Sequence, residues 1–346
     1  MKVAALTIFI SAITAAAVPS YRFVGRVNPA TKQLTWPSTG VAFTFKGTSA
    51  TINIDGVSGT SSADLIIDGG APILVRNVGS SISTPKLSSG THTVELRKRS
   101  ETNFGTFKIA GVATDGTLVE SVVPKRKIEI IGDSISVGYG LDGVNGCTDS
   151  AVLQDNTKTY GAVAARALGA DYSVVAWSGK GLTRNYASNP PDTSPVMPTL
   201  YTRYGANDAD NSFTFPSSWV PDAVVINLGT NDFSYLNVRQ PVKTADLTNA
   251  LVKLVNNIHS HYPKAQFFFV SSPLLSDYYP TQADAQKTNN VKFLKDAMTN
   301  LSGVKTHLVD WPTQGSDSGC DYHPNAATHA KGAALLEASI KSALGW

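Results

Sequence analysis

Hydrophobic and polar residues follow two different patterns along this chain. From Tyr21 to Val123, apolar and polar positions alternate in short stretches such as Val41–Phe45, Ala50–Ile54, Asp64–Asp68 and His92–Leu96, with Gly, Ser and Pro between them. A period of two marks a strand with one buried face, and several such strands joined by turn residues predict a β-sandwich or jelly roll over residues 21–123. Pro124-Lys125-Arg126-Lys127 reads as a linker. From 128 to 346 the runs lengthen. Strand candidates at Ser173–Trp177, Ala223–Leu228, Gln266–Val270 and His307–Trp311 alternate with helix candidates at Tyr160–Leu168, Asp246–His261, Ala283–Met298 and Asn325–Leu344. That alternation predicts a parallel sheet covered by helices, a three-layer α/β/α domain. Ligands in such sheets gather beyond the carboxyl ends of the strands. Residues 185–221, rich in Pro, Asn, Asp, Ser and Tyr, form the longest stretch without periodicity; such loops often line a substrate groove, and a solvated insertion is the other reading.

The segment Lys127–Gly140 carries the clearest chemistry. Its Ile128, Ile130 and Ile131 read as a buried strand that breaks at Gly132 and delivers Ser134 to the strand end. A helix beginning there points amide groups back at the hydroxyl and favours an oxyanion. Gly-Asp-Ser alone is also what an ordinary N-capped turn contains. Three further pieces follow in order, each beside a predicted strand end or helix start: Ser178-Gly179, Gly229-Thr230-Asn231-Asp232 and Asp321-Tyr322-His323-Pro324. Imidazole is the side chain suited to take a serine proton at neutral pH. Of the six histidines, His323 has the loop placement for it.

In these four blocks the chain resembles the SGNH (GDSL-type) hydrolase superfamily over residues 127–346, with Ser134, Gly179, Asn231 and His323 at the four named positions. With a β-rich segment in front, the whole resembles carbohydrate esterase family 2, which joins a jelly-roll domain to an SGNH domain and deacetylates plant polysaccharides. The resemblance implies Ser134 as nucleophile and His323 as base. It also implies an oxyanion hole formed by the amides of Ser134 and Gly179 and the side chain of Asn231. Gly181 is a rival for the Gly179 role. The superfamily usually places Asp three residues before the histidine, whereas here position 320 is Cys and the acid is Asp321. In an extended segment residues two apart point the same way, so Asp321 can orient His323 as the third catalytic member; a backbone carbonyl is the alternative.

Composition narrows the setting. The first 17 residues, with Lys2, an apolar run and Ala15-Ala16-Ala17, read as a secretory signal peptide, which implies an extracellular protein. Lys2 aside, 28 basic residues face 26 acidic ones, too even a balance for an electrostatic hold on nucleic acid or anionic membrane. A neutral partner, an acetylated polysaccharide or oligosaccharide, fits better, and a monomer is expected. Cys147 and Cys320 are the only cysteines, and in an oxidising compartment they are expected to pair. Asn300-Leu301-Ser302 is the one glycosylation sequon. Acyl transfer by serine needs no cofactor or metal, and the chain carries no phosphate-binding glycine motif and no metal-ligand spacing. One of Trp177, Tyr235 and Trp311 is expected to stack on a sugar, although aromatics beside strands are commonly core. Two rivals are a GDSL-type lipase or general acylesterase, and a noncatalytic carbohydrate-binding protein.

Overall fold

The computed structural model describes residues 21–235 and 238–346; the expected signal peptide lies outside the described residues. The N-terminal part is two antiparallel sheets. In one, the order is Arg22–Val24, Gly40–Gly47, Gly90–Lys98, Ala63–Ile67, Ile73–Val75, with Thr117–Val119 also paired to Gly40–Gly47. In the other it is Gln33–Leu34, Gly105–Thr114, Ala50–Gly59, Ser81–Ser83. Period-two patterning explains the packing. Ala50, Ile52 and Ile54 point inward while Asn53 and Asp55 face out, and Phe43, Phe45, Leu65, Leu96 and Phe107 complete a core drawn from both sheets.

The C-terminal part holds a five-stranded parallel sheet ordered Asp171–Ala176, Lys127–Gly132, Ala223–Asn227, Gln266–Val270, Thr306–Val309. Helices Thr244–His261 and Gln286–Asn300 cover one face, against Ile131, Val175, Ile226, Phe267 and Phe269. Helices Tyr160–Ala167 and Ala326–Leu344 cover the other, against Ile130, Val174, Val225 and Phe268. Strands buried on both faces account for the continuous apolar runs in the sequence. The strand Lys127–Gly132 is first in the domain and has the second on one side and the third on the other, so the chain reverses direction across the sheet at this strand. A crevice opens at the carboxyl end of such a switch point, and that is where Ser134 sits. Among the described residues no helix is long and apolar enough to cross a membrane.

The two parts are joined by buried polar arms. Arg26 pairs with Glu129 at 2.7 Å, both almost wholly buried, and Arg22 pairs with Asp171 at 2.7 Å. Within the 185–221 stretch, residues around Tyr204 and Ala206 pack on this seam, while 189–194 and 209–212 are exposed as in a solvated insertion. Trp36 Nε1 donates to the Tyr204 carbonyl at 2.9 Å, and the Ala206 amide donates to Thr35 Oγ1 at 3.0 Å. From this stretch only Tyr186 is among the residues that line the cleft beside Ser134.

Candidate active site

Gly132 is the last residue of its strand, and nothing larger fits there: a Cβ would lie 2.0 Å from Ser136 Oγ. Asp133 then caps the short helix Ser134–Val137 by accepting from the Ile135 amide at 3.0 Å. Burial pushes the Asp133 carboxyl up to about 7. Ser134 emerges on the floor of a cleft of about 840 Å³, whose lining includes His323, Asn231, Gly179, Tyr186 and Tyr235. His323 Nε2 lies 2.9 Å from Ser134 Oγ, and His323 Nδ1 lies 3.2 Å from the main-chain carbonyl of Asp321. A carbonyl can only accept, so Nδ1 carries the proton and Nε2 presents its lone pair to the serine hydroxyl. Burial lowers His323 from the ordinary 6.5 to about 4, so the imidazole is neutral and ready to accept a proton across the neutral range.

Asp321 meets His323 through its main chain, not its carboxylate. The segment Cys320–Tyr322 is a tight turn rather than an extended strand, with Asp321 at φ 50° and Tyr322 at φ 61°. Left-handed backbone at two successive non-glycine residues, costing on the order of 1–3 kcal/mol each, turns the carboxylate away from the ring. It accepts instead from Tyr139 Oη at 2.8 Å, and the Tyr139 ring packs on His323 with centroids 4.2 Å apart. The turn is anchored at Cys320, which is joined to Cys147 in a disulfide with Cα atoms 4.8 Å apart. Asp321→Ala keeps the carbonyl. Loss of the Tyr139 bond, worth about 0.5–1.5 kcal/mol, is expected to lower kcat by at most about tenfold. Steady-state kinetics check this, and a loss as deep as that of His323→Ala would restore the carboxylate to the triad.

Ser134, Gly179 and Asn231 all line this cleft. Gly179 has φ +78°, a conformation that favours glycine, and its position lines the cleft. Neither its amide nor that of Ser134 has a protein acceptor among the described residues. The rival Gly181 has its amide directed to Asn185 Oδ1 at 3.3 Å. Asn231, in the short helix Thr230–Phe233, donates from Nδ2 to the Lys180 carbonyl at 2.9 Å and to Asp133 Oδ2 at 3.3 Å. Neighbouring Asp232 does not enter the cleft; its carboxylate accepts the amides of Leu182, Thr183 and Arg184, fixing the turn after Lys180.

A hydroxyl, a neutral imidazole and amide-bearing residues lining one cleft are parts from which a serine acyl-transfer site can be built. Residues 23–121 match the model of the carbohydrate esterase 2 N-terminal domain, and residues 130–331 match that of the GDSL-like lipase/acylhydrolase family. An acetylxylan esterase/glucomannan deacetylase of Cellvibrio japonicus is 33% identical over 86% of this chain and 82% of its own length. The chain belongs to carbohydrate esterase family 2. The cellulase/esterase CelE of Acetivibrio thermocellus is also 33% identical, over 95% of this chain, which spans 40% of that relative's length. Among solved structures, a family 2 esterase of Corynascus thermopiles (Myceliophthora fergusii) with its carbohydrate binding domain is 62% identical. It superposes at a TM-score of 0.92 over 94% of this chain and 100% of that one. A family 2 esterase from Clostridium thermocellum in complex with cellohexaose is 30% identical, with a TM-score of 0.83 over 94% and 99%.

This family 2 esterase is therefore a carboxylic ester hydrolase, and its aromatic residues separate by place. Trp311 is core, 2% exposed and pressed between Tyr160 and Gly332. Trp177 lies on the seam between the domains, edge-on to Trp36 and donating to Asn103 Oδ1 at 2.9 Å. Of the three aromatics considered from the sequence, Tyr235 alone lines the cleft, its hydroxyl donating to Asp284 at 3.2 Å. Tyr139, Tyr186 and Tyr279 line it too and were not singled out from the sequence. The available signal was their placement in loops: Tyr139 five residues past Ser134, and Tyr279 in the loop that follows the strand Gln266–Val270.

Proposed function

We propose that this family 2 esterase removes O-acetyl groups from plant cell-wall polysaccharides such as xylan or glucomannan, outside the cell, through an acetyl-Ser134 intermediate. The observation that carries the mechanism is the 2.9 Å approach of His323 Nε2 to Ser134 Oγ with Nδ1 turned to a carbonyl. Ser134 Oγ attacks the acetyl carbonyl as its proton passes to Nε2. The tetrahedral oxyanion is held by the amides of Ser134 and Gly179 and by Asn231 Nδ2, which exchanges its longer bond to Asp133 for the oxyanion. Collapse breaks the bond to the sugar oxygen, which takes the proton from Nε2. Water, deprotonated by His323, then attacks the acetyl-serine; the bond to Ser134 Oγ breaks, Oγ takes the proton back from Nε2, and acetate is released. The disulfide supports an oxidising compartment.

The cleft wall supports a sugar ester over a long acyl chain. Its lining is mainly tyrosine and small polar residues, with Leu274, Leu275 and Pro280 the aliphatic members, and tyrosine faces suit pyranose rings. Acetate release from acetylated xylan and acetylated glucomannan, compared with hydrolysis of a long-chain acyl ester, tests the reading. Preference for the acetylated polymers is expected; preference for the long chain would make the protein a lipase. The pH profile follows from His323. The base must be neutral and its pKa lies at about 4, so kcat/KM is expected to rise as pH increases through about 4 and to level off above it. An acidic limb near the ordinary 6.5 would contradict a desolvated base.

A further inference from the structure

A buried carboxylate of the N-terminal domain reaches the turn that precedes Gly179. Glu101 belongs to the turn between the strands Gly90–Lys98 and Gly105–Thr114 of the N-terminal domain and is 2% exposed. Its Oε2 accepts the amide of Ser178 at 2.8 Å, the residue immediately before Gly179. Its Oε1 accepts from Gln154 Nε2 at 2.9 Å, and its own amide donates to Gln154 Oε1 at 2.7 Å. Gln154 Nε2 also donates to Asp149 Oδ2 at 2.7 Å, and Asp149 Oδ1 accepts the amide of Gly140 at 2.9 Å. The Gly140 carbonyl in turn accepts the amide of Cys320, three residues before His323, at 3.1 Å. One buried carboxylate thus connects the turn that presents the Gly179 amide to the loops that carry the nucleophile and the base.

We propose that Glu101 is a positioning residue for the oxyanion hole, so that the N-terminal domain takes part in the chemistry of the neighbouring domain. The inference rests on the acyl-transfer reading of the site. Both carboxylate oxygens of Glu101 face N–H donors. A charged acceptor on the Ser178 amide is stronger and shorter than a neutral one, and it fixes the Trp177–Ser178 peptide plane, one residue before the peptide that carries the Gly179 amide. Gly179, at positive φ and without a side chain, has nothing of its own to hold its amide in line, so its aim is set by its neighbours. Donors in an oxyanion hole act because they are already aligned when charge develops. Freedom at Ser178 therefore costs transition-state binding and leaves ground-state binding of the sugar intact.

Glu101→Gln tests this, because its amide nitrogen must face one of the two donors. The readouts are kcat and KM for p-nitrophenyl acetate, the second-order rate of Ser134 labelling by an organophosphonate, and the melting temperature. The control is Asn103→Ala, which removes the bond to Trp177 from the same turn without touching Ser178. Glu101→Gln is expected to lower kcat and the labelling rate about 10- to 100-fold with KM within about twofold, a fraction of what outright loss of an oxyanion donor costs. Asn103→Ala is expected to keep both rates within twofold of wild type. Wild-type rates from Glu101→Gln, or equal losses in the two variants that follow their melting temperatures, would overturn the proposal. Should Glu101→Gln fail to fold, Glu101→Asp keeps the charge but falls short of Ser178, and the same loss and the same contradiction apply to it. Phosphonate labelling reports on Ser134 whatever the natural ester is, so inactivity of the wild type on acetylated polymers would count against the proposed substrate and not against the role of Glu101.

Discussion

Ser134→Ala and His323→Ala are each expected to lower kcat for acetyl-ester hydrolysis by about 10⁶-fold, and the double variant by no more than either alone. The reason is geometric. Ser134 Oγ and His323 Nε2 share one hydrogen bond of 2.9 Å, and the hydroxyl is a nucleophile only while that nitrogen takes its proton. Removing either member disables the same step, so the losses cannot add. The tautomer that makes Nε2 a base is imposed by the Asp321 carbonyl on Nδ1, and no substitution at Asp321 that keeps the turn abolishes it. Steady-state rates for the three variants check this. A double variant that multiplies the two losses would mean that the residues act independently.

Asn231→Ala is expected to lower kcat about 10²- to 10³-fold, about 2.7–4 kcal/mol of barrier, with KM little changed. Of the three donors proposed for the oxyanion, two are backbone amides and Asn231 Nδ2 is the side chain. Its bond to the Lys180 carbonyl at 2.9 Å holds the amide plane, and its contact to Asp133 Oδ2 is longer, at 3.3 Å. A donor already held in place strengthens its bond as the carbonyl oxygen becomes an anion and contributes little while that oxygen is neutral. The loss therefore belongs to kcat. Kinetics on a soluble acetyl ester, with folding checked by thermal melting, measure it; a rise in KM at constant kcat would place Asn231 in substrate binding instead.

What was legible in the sequence follows from which physical rules act locally. Strands buried on both faces and helices with one apolar face produce the alternation of apolar runs, so the parallel sheet is legible in residues such as Ile128, Ile130 and Ile131. Ser134 and His323 could be read because their motifs fall where strands end, and the structure brings them together across 189 positions of sequence. The carboxylate of Asp321 could not be placed, since a period-two argument assumes extended backbone and two successive left-handed residues break it. The positions of Trp177 and Trp311 beside strands do not say whether a ring turns into the core, onto the seam or into the cleft. The cleft tyrosines sit in loops, whose course depends on tertiary packing rather than periodicity. Glu101 gave no sign at all, because its partner Ser178 is 77 residues away in the other domain.

The central claim is that acetyl passes from substrate sugar to Ser134 before it reaches water. The most direct measurement is mass analysis of peptides after acid quenching the enzyme during turnover of acetylated xylan oligosaccharides. One acetyl group on the peptide containing Ser134, absent from Ser134→Ala and His323→Ala, is the expected result. Acetate release that continues at the wild-type rate in Ser134→Ala, with no acetyl on that peptide in either protein, would contradict it.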